Sequence, residues 1–123
     1  MPIGDRAMSL DVRLYVDVDT GSPELHRCYL YEANYTHNCI PMAIKAGIYE
    51  YVWRPEECCD VAVAGDLVEP LRTGVKLMED DPNRFKALNP KNGWGDYDTF
   101  LEWLRKYLVA CIENPNAKIR VSR

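Results

Sequence analysis

Apolar and polar residues alternate along residues 10–18. An alternation with a period of two residues is typical of a β-strand that buries one face. A loop is expected at residues 20–23, followed by a second, tyrosine-rich strand from about residue 27 to residue 35. Because this link is too short for a parallel crossover, the two strands are predicted to form an antiparallel hairpin.

Beyond the hairpin, apolar residues recur at helical spacing. Asn38 is expected to cap a short helix that ends at Gly47. A longer helix is expected to begin at Asp66, which forms a capping-box pattern with Glu69. The apolar residues of this helix lie three or four positions apart and form one stripe, as a core-facing helix requires: Val68, Leu71, Val75 and Met78.

The remaining elements complete a predicted α+β domain. A short helix is expected over residues 81–89, the longest helix from Asp96 or Asp98 to about residue 113, and a last strand over residues 118–121. The N-terminal hairpin plus this C-terminal strand would form a small antiparallel sheet packed against about four helices.

Length and composition set the domain organisation and the compartment. With 47% hydrophobic and 28% charged residues, residues 1–123 are expected to form a single domain, of which residues 1–7 are a flexible tail. No apolar run reaches the roughly 20 residues needed to cross a bilayer, and we find no secretory signal pattern. The five cysteines are an odd number, which favours reduced thiols. A cytoplasmic protein without membrane contact is expected.

The net charge of −4 is unevenly distributed. Residues 82–95 contain Arg84, Lys86 and Lys91 and no acidic residue. The overall acidity argues against direct nucleic-acid binding, which needs cations to neutralise several phosphates. A small anion needs only two or three cations and a few amide donors. The charge pattern therefore favours a small anionic ligand.

One candidate binding loop is Asn34-Tyr35-Thr36-His37-Asn38, at the end of the second predicted strand. Binding and catalytic groups concentrate on loops held by a rigid scaffold, and the free backbone donors of a helix start attract anions. His37 is the side chain of this loop that can exchange a proton near neutral pH. The alternative is structural: Asn38 caps the helix and His37 bonds a nearby carbonyl group.

A second candidate loop, Asn89-Pro90-Lys91-Asn92-Gly93-Trp94-Gly95, precedes the longest predicted helix. Its glycines allow a ligand to approach the backbone, and the indole of Trp94 is a stacking surface for a planar ring. Arg54 is a further candidate anion contact. The alternatives are a tight turn with Trp94 against the core, and a surface ion pair for Arg54.

Metal and phosphatase motifs fail on spacing. Asp17-Val18-Asp19-Thr20 is similar to the nucleophile motif of haloacid-dehalogenase-type phosphatases, but that family needs parallel crossovers and here a hairpin follows. As a calcium loop, the same run has Ser22 where glycine is needed and Cys28 where glutamate is needed. The segments His37-Asn38-Cys39 and Cys58-Cys59 lack the paired spacing of a zinc site. No metal or cofactor is predicted.

Six short runs occur together in this chain: Asn34-x-Thr36-His37-Asn38, Ala46-Gly47-Ile48-Tyr49, Trp53-Arg54-Pro55-Glu56-Glu57, Asn89-Pro90-x-Asn92-Gly93-Trp94-Gly95-x-Tyr97, Tyr107-Leu108-x-Ala110-Cys111 and Val121-Ser122-Arg123. Together they resemble a family of small uncharacterised proteins encoded by bacteriophages and some bacteria. The likeness covers most of the chain from Met8 onward. It implies a phage source, with the host cytoplasm as the location, and it implies no mechanism.

The function expected first is binding of a small anionic planar ligand, such as a nucleotide. Phages carry small proteins that sequester nucleotide-derived defence signals, and such a role needs stacking, amides and cations but no catalytic group. The expected ligand-binding residues are Asn34, Tyr35, Thr36, His37, Asn38, Arg54, Arg84, Lys91, Asn92 and Trp94.

Two other functions stay open. A hydrolase or lyase would use His37 as general acid or base, oriented by Asp17, Asp19 or Glu32. A protein-binding inhibitor of a host factor would use an aromatic patch made of Tyr49, Tyr51 and Trp53. A homo-oligomer also stays open, because a polar pocket in so small a domain is often shared between subunits.

Overall fold

The computed structural model describes residues 9–123, so the tail predicted for residues 1–7 lies outside it. Three antiparallel strands form one sheet: β1 (Ser9–Val18), β2 (His26–Thr36) and β3 (Lys118–Ser122), in the order β2-β1-β3. The central strand is therefore the first, and the C-terminal strand pairs with it on the side opposite the hairpin. The predicted α+β fold and its strand arrangement are confirmed.

Five α-helices occur in the described part of the chain, one more than the sequence suggests. They are α1 (Ile40–Lys45), α2 (Tyr49–Trp53), α3 (Val68–Asp80), α4 (Pro82–Lys86) and α5 (Tyr97–Glu113). The additional helix is α2, which the sequence presents only as an aromatic patch. Three single turns of 3₁₀ helix, at His37–Cys39, Pro55–Glu57 and Ala64–Leu67, connect these elements.

The core lies between one face of the sheet and the helices. Leu10, Val12 and Leu14 are fully buried on the inner face of β1, as the alternation predicts. Three residues of the predicted α3 stripe, Leu71, Val75 and Met78, are buried, and Val68 at its start is half-buried. Helix α5 contributes a second stripe that includes Phe100, Leu104 and Tyr107. Because the helices pack on one face of the sheet, the loops at the end of the sheet lie outside this core and can present a site.

Two predicted helix caps are wrong. Thr36, not Asn38, caps the turn after β2, because the Thr36 hydroxyl accepts a hydrogen bond from the Asn38 amide at 3.2 Å. Asp66 lies within a 3₁₀ turn and accepts hydrogen bonds from the Ala62 and Val63 amides instead of opening α3. In both places a short 3₁₀ turn precedes the α-helix, and the residue predicted as the helix cap lies inside that turn.

Candidate functional site

The two polar loops meet at one end of the sheet. The side-chain amide of Asn38 donates to Asn92 Oδ1 at 3.4 Å and to the backbone oxygen of Trp94 at 3.3 Å. These contacts join residues more than fifty positions apart in the chain. Asn38 therefore connects the loops to each other. Its side chain is not needed for capping, because the Thr36 hydroxyl is the cap.

Tyr35 provides a second connection, from the last residues of β2 to the start of α5. Its hydroxyl lies 2.9 Å from Thr99 Oγ1 and accepts a hydrogen bond from the Asp96 amide at 3.2 Å. Burial of the ring raises the pKa of Tyr35 well above the usual tyrosine range. The hydroxyl therefore remains protonated and can both donate and accept. Asp96 itself caps α5 by accepting from the Thr99 amide at 2.8 Å.

The backbone of the second loop has a fixed conformation. Gly93 and Gly95 have φ values of 75° and 86°, which favour glycine. A Cβ atom at Gly95 would lie 2.7 Å from the Thr36 methyl carbon and 2.9 Å from the Tyr35 hydroxyl oxygen, whereas at Gly93 it would meet nothing within 4 Å. At its beginning the loop is held by Asn89, whose side-chain oxygen accepts from the Tyr97 amide at 2.8 Å. The loop is thus secured at both ends and in the middle.

Trp94 lies at the exposed side of this secured loop. Its side chain is 72% exposed, the highest value among the large exposed apolar residues of the described chain. Its backbone amide donates to Asn92 Oδ1 at 3.0 Å and its backbone oxygen accepts from Asn38. The alternative of an indole packed against the core is wrong. The backbone is held while the ring remains in solvent.

His37 contacts Trp53 of α2. Its Nδ1 atom accepts a hydrogen bond from Trp53 Nε1 at 2.9 Å, so the observed partner is an indole and not the carbonyl group that the structural alternative names. Because the indole nitrogen is only a donor, this bond requires an unprotonated Nδ1 and fixes the neutral Nε2–H tautomer. Burial also lowers the pKa of His37.

Two other candidate residues form contacts elsewhere. The Asn34 amide donates to the backbone oxygen of Leu10 and to Asp11 Oδ1, both on β1. The Arg54 guanidinium pairs with Glu57 at 2.9 Å and donates to the Tyr49 hydroxyl at 3.3 Å. Of the two alternatives for Arg54, the surface ion pair is the one observed.

The remaining candidate cations are exposed. Within residues 9–123, neither Arg84 nor Lys91 forms an ion pair. Lys91 lies three residues before Trp94 on the same loop, and Arg84 lies on α4. The site that the structure assembles consists of Tyr35, Thr36, Asn38, Asn92 and Trp94, with Lys91 beside it.

The carboxylates expected to orient His37 have other partners. Asp17 pairs with Arg27 and Lys118, and Glu32 pairs with Arg13. Asp19 accepts from the Gly21 amide in the hairpin loop. Among the described residues, no group of three or more histidine, cysteine or acidic residues is placed to hold a metal ion.

The aromatic patch proposed for protein binding is largely internal. Trp53 is buried, and Tyr49 stacks on it with ring centroids 5.7 Å apart. Tyr51 is half-buried, and its hydroxyl donates to Asp60 at 3.2 Å. Trp53 also donates to His37, and the three aromatic residues present little free apolar surface.

Sequence reasoning missed the residues that secure the loops. Asp96 and Thr99 form a reciprocal capping pair, and the spacing Asp-x-x-Thr ahead of an apolar helix was a readable signal. The close approach of Gly95 to Tyr35 and Thr36 had no such signal, because it joins segments about sixty residues apart.

None of the helices in residues 9–123 has the length and apolar character needed to cross a membrane. Comparisons with models of protein families, with curated proteins and with solved structures found no match for this chain.

Proposed function

We propose that this protein binds a small anionic planar ligand, of the nucleotide class, on the surface formed by Trp94, Asn92, Asn38 and Lys91. The observation that carries the proposal is the exposed indole of Trp94 on a loop whose backbone is secured by Asn38, Tyr35 and Asn89. A loop that is already ordered loses little conformational entropy when a ligand binds. An exposed indole held in this way offers a stacking face for a base.

Polar groups around the indole match the other parts of such a ligand. Asn38 and Asn92 present amide groups that can read the polar edge of a base or ribose. Lys91, which has no ion pair within the described residues, supplies a cation for a phosphate. Arg84 is a second candidate for this role. Arg54 is not part of the proposal, since its charge is paired with Glu57 and its Nε atom donates to Tyr49.

The arrangement favours binding of a ligand over catalysis of its conversion. A general base needs a free lone pair near neutral pH, and the His37 lone pair at Nδ1 accepts the Trp53 hydrogen bond. Its Nε2 atom carries the proton in this tautomer and can only donate. The hydrolase or lyase alternative would therefore require the His37–Trp53 bond to break.

The biological role that we propose is sequestration of a nucleotide-derived signal, in line with the resemblance to phage-encoded proteins. A sequestering protein returns its ligand unchanged, whereas an enzyme does not. Recovery of the ligand by mass spectrometry after incubation separates the two. Intact ligand supports sequestration, and a new product would support the enzyme alternative.

The direct test is calorimetry with a panel of nucleoside monophosphates, nucleoside diphosphates and cyclic dinucleotides. We expect heat of binding with at least one of them and its loss in the Trp94→Ala variant. Tyr29→Ala is the matched control, because Tyr29 is an exposed aromatic residue on the sheet, outside the loop cluster. Absence of binding across the panel, or equal loss in both variants, would refute the proposal.

A further inference from the structure

Helix α5 has an outer face that the rest of the described chain leaves uncovered. Val109 and Ile112 are 50% and 46% exposed on this face. The face borders an open groove of about 730 Å³ between α5 and the edge of the sheet. Its lining includes Tyr31 of β2 and, from α5, Arg105, Val109, Ala110 and Glu113.

The strand beside this groove is an edge strand. β2 pairs with β1 on one side, and its other side has no strand partner among residues 9–123. Tyr31 stacks on Tyr107 with ring centroids 6.0 Å apart, which places the middle of β2 beside the C-terminal half of α5. Apolar side chains from two elements thus flank one groove, a feature typical of protein contact surfaces.

Two of the charged residues around Val109 complement each other, whereas Glu102 and Lys106, which also line the groove, pair with each other at 3.5 Å. Arg105 and Glu113 lie four residues before and after Val109, on the same face of the helix and about 6 Å away along its axis. Within residues 9–123, Glu113 has no ion pair. Arg105 uses Nε and Nη2 on Glu79, which leaves donors on Nη1.

From this arrangement we propose that a second copy of this chain docks on the outer face of α5 around a two-fold axis at Val109. Two antiparallel α5 helices that meet at Val109 place Arg105 of each copy opposite the partner's Glu113. A two-fold interface requires a patch to complement itself, and a cation and an anion at equal distances on either side of an apolar centre satisfy this requirement. The exposed Ile112, one turn along α5 from Val109, would be covered at the same interface.

Sedimentation equilibrium of the full-length protein, up to about 1 mM, tests the proposal. We expect a monomer–dimer equilibrium in the wild type and a dimer at least about tenfold weaker in Val109→Lys. Ile44→Lys is the matched control, because Ile44 is 60% exposed on α1, a different helix, and it should leave the equilibrium unchanged. A monomeric wild type at every concentration, or equal effects of the two variants, would overturn the proposal.

A charge exchange tests the orientation of the two copies. Glu113→Arg alone should weaken the dimer, because it places two cations opposite each other. Adding Arg105→Glu should restore the dimer, since each cross-pair then exists with its charges reversed. The two residues are about 12 Å apart within one helix, so rescue requires contact between copies. A double variant that dimerises no better than Glu113→Arg would contradict the two-fold arrangement, provided that circular dichroism shows both variants folded.

Discussion

Replacing Gly95 by alanine tests whether the two loops are packed against each other. The backbone at Gly95 has φ 86°, and an added Cβ would lie 2.7 Å from the Thr36 methyl carbon and 2.9 Å from the Tyr35 hydroxyl oxygen. The substitution therefore has two costs. The first is the strain of a left-handed conformation in a residue with a side chain. The second is the displacement of groups that secure the site.

The chain offers controls that separate these costs. Gly21 also has φ 86° and Gly93 has φ 75°, but a Cβ at either position meets nothing within 4 Å. Gly21→Ala and Gly93→Ala should each lower the free energy of unfolding by about 1 to 2 kcal/mol, from backbone strain alone. Gly95→Ala should add about 1 to 3 kcal/mol for overpacking, because relief of the clash moves the Tyr35 hydroxyl away from Asp96 and Thr99.

Urea denaturation followed by circular dichroism measures these differences. We expect Gly95→Ala to be the least stable of the three variants by at least about 1 kcal/mol. If all three variants lose the same stability, the close contact of the second loop with Tyr35 and Thr36 does not exist. The proposed binding surface would then lack its support.

Three further outcomes are expected. Trp94→Ala should change the free energy of unfolding by less than about 0.5 kcal/mol, because its ring is exposed; a loss above 2 kcal/mol in urea denaturation would mean that the indole belongs to the core. Burial lowers the pKa of His37, so as the pH falls the imidazole is protonated in the unfolded chain before it is protonated in the folded chain. The free energy of unfolding should therefore decrease as the pH falls below about 6.5. Denaturation curves between pH 5 and pH 8 should show this loss reduced in His37→Gln and retained in His26→Gln; an unchanged pH profile in His37→Gln would contradict the His37–Trp53 bond. Tyr107→Phe should be neutral or stabilising, because the buried Tyr107 hydroxyl has no partner within the described residues. Tyr97→Phe should lower the free energy of unfolding by about 1 kcal/mol, because it removes the 2.7 Å hydrogen bond to the Met78 oxygen. A lower melting temperature for Tyr107→Phe than for Tyr97→Phe would refute this assignment.

The parts of the fold that follow from periodicity were predictable. The alternation of β1 and the stripe of α3 are local patterns, and each appears where the sequence places it. Of the two predicted starts of α5, Asp96 and Asp98, the structure shows Asp96 as the cap. The short α2 helix was not predictable, because it has only five residues and derives its stability from the packing of Trp53.

The candidate site was predictable in outline and not in detail. The second loop is an exposed or half-buried irregular segment between two helices, as its residue types indicate, whereas the first consists of the last three residues of β2 and the 3₁₀ turn that follows. The partner of each polar side chain depends on contacts between distant segments. His37 meets Trp53, and Asn38 meets Trp94 instead of capping a helix. No local spacing rule encodes these pairs.

The most direct test of the proposed site is the NMR signal of the Trp94 indole N–H during a nucleotide titration. The chain has three tryptophans, of which Trp53 is buried and Trp103 is half-buried, so three indole signals are expected, and Trp94→Phe assigns the one of interest. We expect a nucleotide or cyclic dinucleotide to shift the Trp94 signal in a saturable manner while the Trp53 and Trp103 signals stay in place. An unmoved Trp94 signal at millimolar ligand, or equal shifts of all three signals, would contradict the proposed binding surface.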